Sequence, residues 1–191
     1  LSFVGLGMRG VAGRTYSLSY TSGSLTSVSQ AIEVTPGIAQ GLILTRASSG
    51  LRSGDTFTVH SQVSVVDSGG NIVTSTTGTI QVGLSGSNGA TLTGNRTATV
   101  ESGTATFAGL SISGPGNQDY TLTYTFSGLG ALTESARLLS GVPHHIALTR
   151  NAAGFYNGAA FTTQPEITVY DKTNNVITTA DGSIEASVST G

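Results

Sequence analysis

The chain has 191 residues, of which 54 are Ser or Thr, 27 are Gly and 18 are charged, with a formal net charge of −2. That balance excludes the basic footprint of a nucleic-acid binder, and no run of 18 apolar residues offers a membrane-spanning helix. Cys is absent, which excludes disulfides and thiolate-held metals and fits an exported bacterial or archaeal chain better than a small eukaryotic secreted domain.

Taken in chain order, the sequence shows period-2 alternation and no helical period, so an all-β fold is expected. Tyr16-Ser17-Leu18-Ser19-Tyr20 places its large apolar residues on one face and hydroxyls on the other. The following spacing predicts strands near 41–46, 56–66, 72–75, 78–85, 90–93, 97–100, 104–112, 118–127 and 132–139. Turn signals separate these runs every 8 to 12 residues or so, the spacing of a sandwich or barrel. They include Asp67-Ser68-Gly69-Gly70-Asn71, residues 86–89, Gly114-Pro115-Gly116-Asn117 and Asp171-Lys172-Thr173-Asn174-Asn175. Pro165 marks an edge position or a bulge in its strand. Ten residues are expected in the core: Phe57, Val63, Val65, Ile80, Val82, Phe107, Leu110, Tyr120, Leu122 and Tyr124.

A second order lies over the first. Residues 1–87 align without a gap with 105–191, at an offset of 104, and 24 of the 87 positions are identical. Phe3, Gly5, Leu6, Tyr16, Leu18 and Tyr20 return as Phe107, Gly109, Leu110, Tyr120, Leu122 and Tyr124. Gly50, Phe57, Val65, Asp67, Asn71 and Ile80 return as Gly154, Phe161, Val169, Asp171, Asn175 and Ile184. A tandem repeat is therefore expected, divided as 1–37 (back half of one unit), 38–141 (a complete unit) and 142–191 (front half of the next). The linkers at 35–37 and 140–143 are short, so adjacent units should sit semi-rigidly in line, each advancing a stalk by about 30 to 40 Å. Leu1, without an initiator Met or signal peptide, is expected to lie within a longer gene product.

Repeated positions are core and turn residues, not polar clusters, so no catalytic, cofactor-binding or metal residues are assigned and the chain is expected not to be an enzyme. No Gly-x-Ser-x-Gly elbow comes with a His and an acid in order. His144-His145 is the one His cluster; adjacent strand residues point to opposite faces, so the pair is not expected to chelate one metal, and Gln40-Gly41 replaces it in the first copy. His60, replaced by Gln164, is expected to face solvent. Asp67 with Asn71, and Asp171 with Asn175, supply too few oxygens for Ca²⁺ and read as Asx turns bonding their own backbone. Lys172, the single Lys, sits in a turn, which excludes a Lys–Asn isopeptide staple from 38–141. Trp is absent and only Tyr156 and Tyr170 fall outside the repeated core tyrosines, a poor basis for a sugar-binding row. Asn95-Arg96-Thr97 is an N-glycosylation sequon, and the surface threonines are candidate O-glycan carriers.

The run from Val65-Val66-Asp67-Ser68-Gly69-Gly70-Asn71 through Ile80-Gln81-Val82 and Gly103-Thr104-Ala105-Thr106-Phe107 to Tyr120-Thr121-Leu122-Thr123 resembles bacterial Ig-like repeats. These are the tandem domains of invasin- and intimin-type adhesins and of other large surface proteins. The resemblance implies an extracellular, cell-surface β-sandwich acting as stalk, spacer or platform. The expected function is structural: the body of an extracellular filament, sheath or surface layer. A spacer stalk in a cell-adhesion protein is the alternative, and a carbohydrate-binding module of a secreted enzyme a further one. Expected partners are further copies of the chain or adjacent repeats, by self-assembly or strand complementation, with glycans as possible ligands.

Overall fold

The computed structural model describes residues 2–86 and 88–189. Leu1, Ser87 within the expected turn at 86–89, and 190–191 at the end of the expected unit 142–191 lie outside the described residues. Among the described residues thirteen strands form, all paired antiparallel: β1 (Thr15–Tyr20), β2 (Val28–Glu33), β3 (Gly41–Arg46), β4 (Gln62–Val66), β5 (Thr79–Ser85), β6 (Thr91–Thr93), β7 (Thr97–Glu101), β8 (Thr104–Thr106), β9 (Ser111–Ser113), β10 (Gln118–Thr125), β11 (Leu132–Leu138), β12 (His145–Arg150) and β13 (Glu166–Tyr170). Among the described residues no helix is long and apolar enough to cross a membrane.

The central sheet runs β11-β10-β5-β7-β8-β4-β3. It folds over on itself at the β7–β8 hairpin, whose two loop residues, Ser102 and Gly103, both have positive φ (48° and 76°). That is the type I′ geometry that matches strand twist. Folding brings β11 back beside β3, and the two layers enclose one core in a β-sandwich-like fold. All ten residues expected in the core are buried, joined by Leu51, Ile112, Ala136 and Leu138. In β10 the inward set is Tyr120, Leu122 and Tyr124, each no more than 2% exposed, with threonines between them.

Three expected strands differ. The stretch 56–66 is a ladder only from Gln62, with isolated bridges at Thr56 and Val59. Its side chains supply the reason: His60 Nε2 accepts the Leu110 N–H at 2.9 Å, taking a place a backbone carbonyl would fill, and Ser61 turns fully inward. The stretch 104–112 splits into β8 and β9 around Gly109, at φ 66°, where the chain leaves β4 and pairs with β6. Residues 72–75 form the return arm of the Asp67 turn, held by the Val66–Ile72 bridge and the Val73 N–H on Val65 O.

The sequence repeat has a structural counterpart. Tyr16 faces Ile32 across β1–β2 as Tyr120 faces Ala136 across β10–β11. A register shift separates Leu44 from Arg46 in β3–β4 and Leu148 from Arg150 in β12–β13. The bulge therefore belongs to both copies and does not depend on Pro165, which the first copy replaces with Ser61. Outside 38–141 the matching apolar positions are more open: Tyr16, Leu18 and Tyr20 are half-buried where Tyr120, Leu122 and Tyr124 are buried, Phe3 is 70% exposed where Phe107 is 2%, and Phe155 is 68% where Leu51 is 3%.

Candidate functional site

The chemistry shared by the two copies centres on the turns at Asp67 and Asp171. Each begins as a local Asx structure. Asp67 Oδ1 accepts the N–H groups of Gly69 (2.8 Å) and Asn71 (2.9 Å), and Asp171 Oδ1 those of Thr173 and Asn175 (both 2.8 Å). The chain turns back through a left-handed residue, Gly70 at φ 81° in one copy and Asn174 at φ 65° in the other.

The other side-chain atoms reach across to the preceding part of the chain. Asp67 Oδ2 accepts the Gly37 N–H at 2.8 Å, as Asp171 Oδ2 accepts that of Gly141 at 2.7 Å. Asn71 Nδ2 donates to Gly10 O at 3.1 Å, and its Oδ1 accepts the Ala12 N–H at 2.9 Å. Asn175 repeats both bonds, to Gly114 O at 3.0 Å and from Gly116 N at 3.0 Å. An acid and an amide four residues apart thus tie a turn, the segment that leads into β3 or β12 and the loop ahead of β1 or β10 into one joint. The local turn was legible in the sequence; the joint was not.

The second joint is the more enclosed. Asp171 is fully buried, and Ser53 Oγ, 1% exposed, donates to Gly114 O at 2.7 Å, accepts from Gly114 N at 3.0 Å and lies 2.7 Å from Thr173 Oγ1. Gly141 is required by close approach, because a Cβ there would stand 2.9 Å from Ser53 O and 3.0 Å from Asp171 Cβ. Burial of Asp171 opposes its ionisation, yet the Asn175 side chain, the Gly141 and Asn175 N–H groups and Thr173 outweigh it and hold the carboxyl down to about 2. At Asp67 the Gly37 N–H leads, with Asn71, to the same result, about 2. These carboxylates face N–H donors, whereas Ca²⁺ needs a shell of oxygens, so the donor set fits a hydrogen-bonded joint and not that cation.

A second polar group went unnoticed in the sequence. Glu134 is 5% exposed and its Oε1 accepts from Ser48 N (2.6 Å) and Oγ (2.8 Å), while Oε2 accepts from Ser61 Oγ (2.8 Å) and Tyr124 OH (2.5 Å). Burial, followed by the Glu134 bond, pushes the Tyr124 phenol above its ordinary range. The available signal was a Glu on the inward phase of Leu132, Glu134, Ala136 and Leu138. Gln30 bonds Tyr20 OH at 2.9 Å in the matching place.

The remaining candidates are scattered. His60 is half-buried, not solvent-facing as expected, because its ring fills space beside Phe57 and its Nε2 serves Leu110. Burial, then Arg46, lowers its pKa. Lys172 is exposed in its turn, Tyr156 is exposed, and Tyr170 stacks on His145. Asn95 and Thr97 of the sequon are both exposed. Among the described residues no group of three or more His, Asp or Glu converges as a metal cluster.

No protein-family model matches the chain, and neither does any curated protein. Two crystal structures of a β-glucuronidase from Parabacteroides merdae, one with glycerol in its active site, align at 19% identity and a TM-score of 0.40. The alignments cover 59% of this chain and 15% and 14% of the enzyme. Likeness at that level carries no argument about fold or activity.

Proposed function

We propose that the chain is a run of Ig-like units, divided at 1–37, 38–141 and 142–191, from an exported surface protein, where they form the body of an extracellular filament, sheath or surface layer. One observation carries this reading: the Asp–Asn joint recurs at the 104-residue offset with the same donors and acceptors. A chain whose most elaborate shared chemistry fastens each segment to the next is suited to transmit load and hold spacing, not to turn over a substrate. Its partners are adjacent repeats and further copies, including completion of an open sheet by strand addition. Low charge and abundant surface hydroxyls permit side-by-side contact and glycan attachment.

The test is immunogold electron microscopy of native cells with antibodies raised against the chain. Label on ordered extracellular fibres or layers is expected, with an axial repeat of about 30 to 40 Å. Label on single projecting stalks would move the reading to an adhesin spacer, and label confined to the cell interior would overturn both.

A further inference from the structure

We propose that His60 is an acid-released latch: its neutral ring holds the crossover between β8 and β9, and protonation of that ring frees it. Between Phe107 and Leu110 the chain leaves the β4 ladder for the β6 ladder, turning at Gly109 (φ 66°). Three bonds fasten this crossover to residues 57–61: Phe107 N–H to Ser61 O at 3.1 Å, Phe57 N–H to Leu110 O at 2.9 Å, and Leu110 N–H to His60 Nε2 at 2.9 Å. The first two join backbone groups that do not titrate. The third ends on an imidazole, the side chain that ordinarily changes charge between about pH 5 and 8.

An N–H donates only to a nitrogen with a free lone pair, so this bond belongs to the neutral ring, with its proton on Nδ1. A proton on Nε2 turns the acceptor into a donor and sets N–H against N–H. Leu110 is fully buried, so its amide has no route to solvent while the crossover stays in place, and a stranded buried donor is costly. The surroundings give an imidazolium no compensation. Arg46 of β3 donates its Nε to His60 O at 3.0 Å, and its charge opposes a second one on the ring. Residues 47–50, which pair with Val59, and residues 91–93 and 106–113 around the crossover carry no titratable side chain. Glu134 of β11 reaches Ser61, the next residue, but its oxygens already accept four donors. Burial first, then Arg46, keeps the His60 pKa below its ordinary 6.5. Because the folded value lies below the unfolded one, the latch contributes fully above about pH 6.5 and its contribution is lost as pH falls through the folded value. The second copy carries Gln164 at this place, whose Nε2 donates to Phe161 O. Acid release is therefore confined to 38–141 and independent of what the units assemble into.

NMR of the full chain from about pH 8 to 5 tests this through two signals, the His60 ring nitrogens and hydrogen exchange at the Leu110 amide. Nε2 should be the bare nitrogen at neutral pH, with a titration midpoint below 6.5. As the ring titrates, Leu110 protection, corrected for the intrinsic exchange rate, should fall at least about tenfold while that of Leu122 in β10 holds. In His60→Gln, which keeps an acceptor but no titrating group, the Leu110 profile should be flat. A ring that protonates with Leu110 protection unchanged, as it would by turning its new N–H to Leu110 O, would overturn the latch. So would a proton on Nε2 at neutral pH, or a loss of Leu110 protection in acid that persists in His60→Gln.

Discussion

Glu134 shows how one residue in the inward phase of a strand sets the terms for its neighbours. Among the described residues no basic side chain pairs with its carboxylate; four donors from Ser48, Ser61 and Tyr124 compensate its burial. Glu134→Ala strands those donors and should cost about 2 to 5 kcal/mol by urea unfolding. Glu134→Gln keeps the volume and a polar partner for Tyr124, as Gln30 does for Tyr20, and should cost about 1 kcal/mol. Equal losses in the two variants would show that the space, not the hydrogen bonding, matters.

Among the elements, the β7–β8 hairpin decides how the sheet becomes two layers. Gly103 combines φ 76° with a missing Cβ that would lie 2.7 Å from both Ile72 Cγ2 and Val73 O, so side chain and backbone strain coincide. Gly103→Ala should destabilise by about 2 to 4 kcal/mol. Gly128→Ala, at φ 81° with open space around it, should cost only about 1 kcal/mol. Both are read from urea midpoints; a Gly128 variant as damaging as the Gly103 variant would remove the steric part of the argument. Strand boundaries follow the same local logic. The alternation at 118–127 produced β10 nearly as expected, because every second residue from Tyr120 to Tyr124 is buried, whereas in the first half of 56–66 the His60 ring takes the Leu110 N–H and the backbone bonds are divided among Ser49, Phe107 and Leu110 instead of forming one ladder.

For the whole molecule, the joint fixes how one segment meets the next. Asp171→Ala leaves the Gly141 N–H and the Asn175 amide without their acceptor. Hydrogen exchange at the Gly141 amide should then lose about 2 to 3 kcal/mol of protection, while amides of β4 and β10 keep theirs. The carboxyl sits at about 2, below its ordinary 3.8, so its contribution is complete above about pH 4 and disappears as pH falls through about 2. Gly141 protection should follow that fall in the parent and be flat in Asp171→Ala; a parent whose Gly141 exchange ignores this window would show that another contact holds the linker.

The sequence by itself determined the all-β class, the 104-residue repeat and all ten core positions expected in the central segment. Those properties reside in residue spacing: alternation assigns a face, and recurrence of apolar and turn residues marks a repeated scaffold whatever its partners are. Asp67 and Asn71 were likewise readable as a turn, since that chemistry lies within five consecutive residues. Only the tertiary structure decided that the same side chains also hold Gly37, Gly10 and Ala12, and that Glu134 meets Ser48 and Ser61, because those contacts join residues 30 to 86 positions apart.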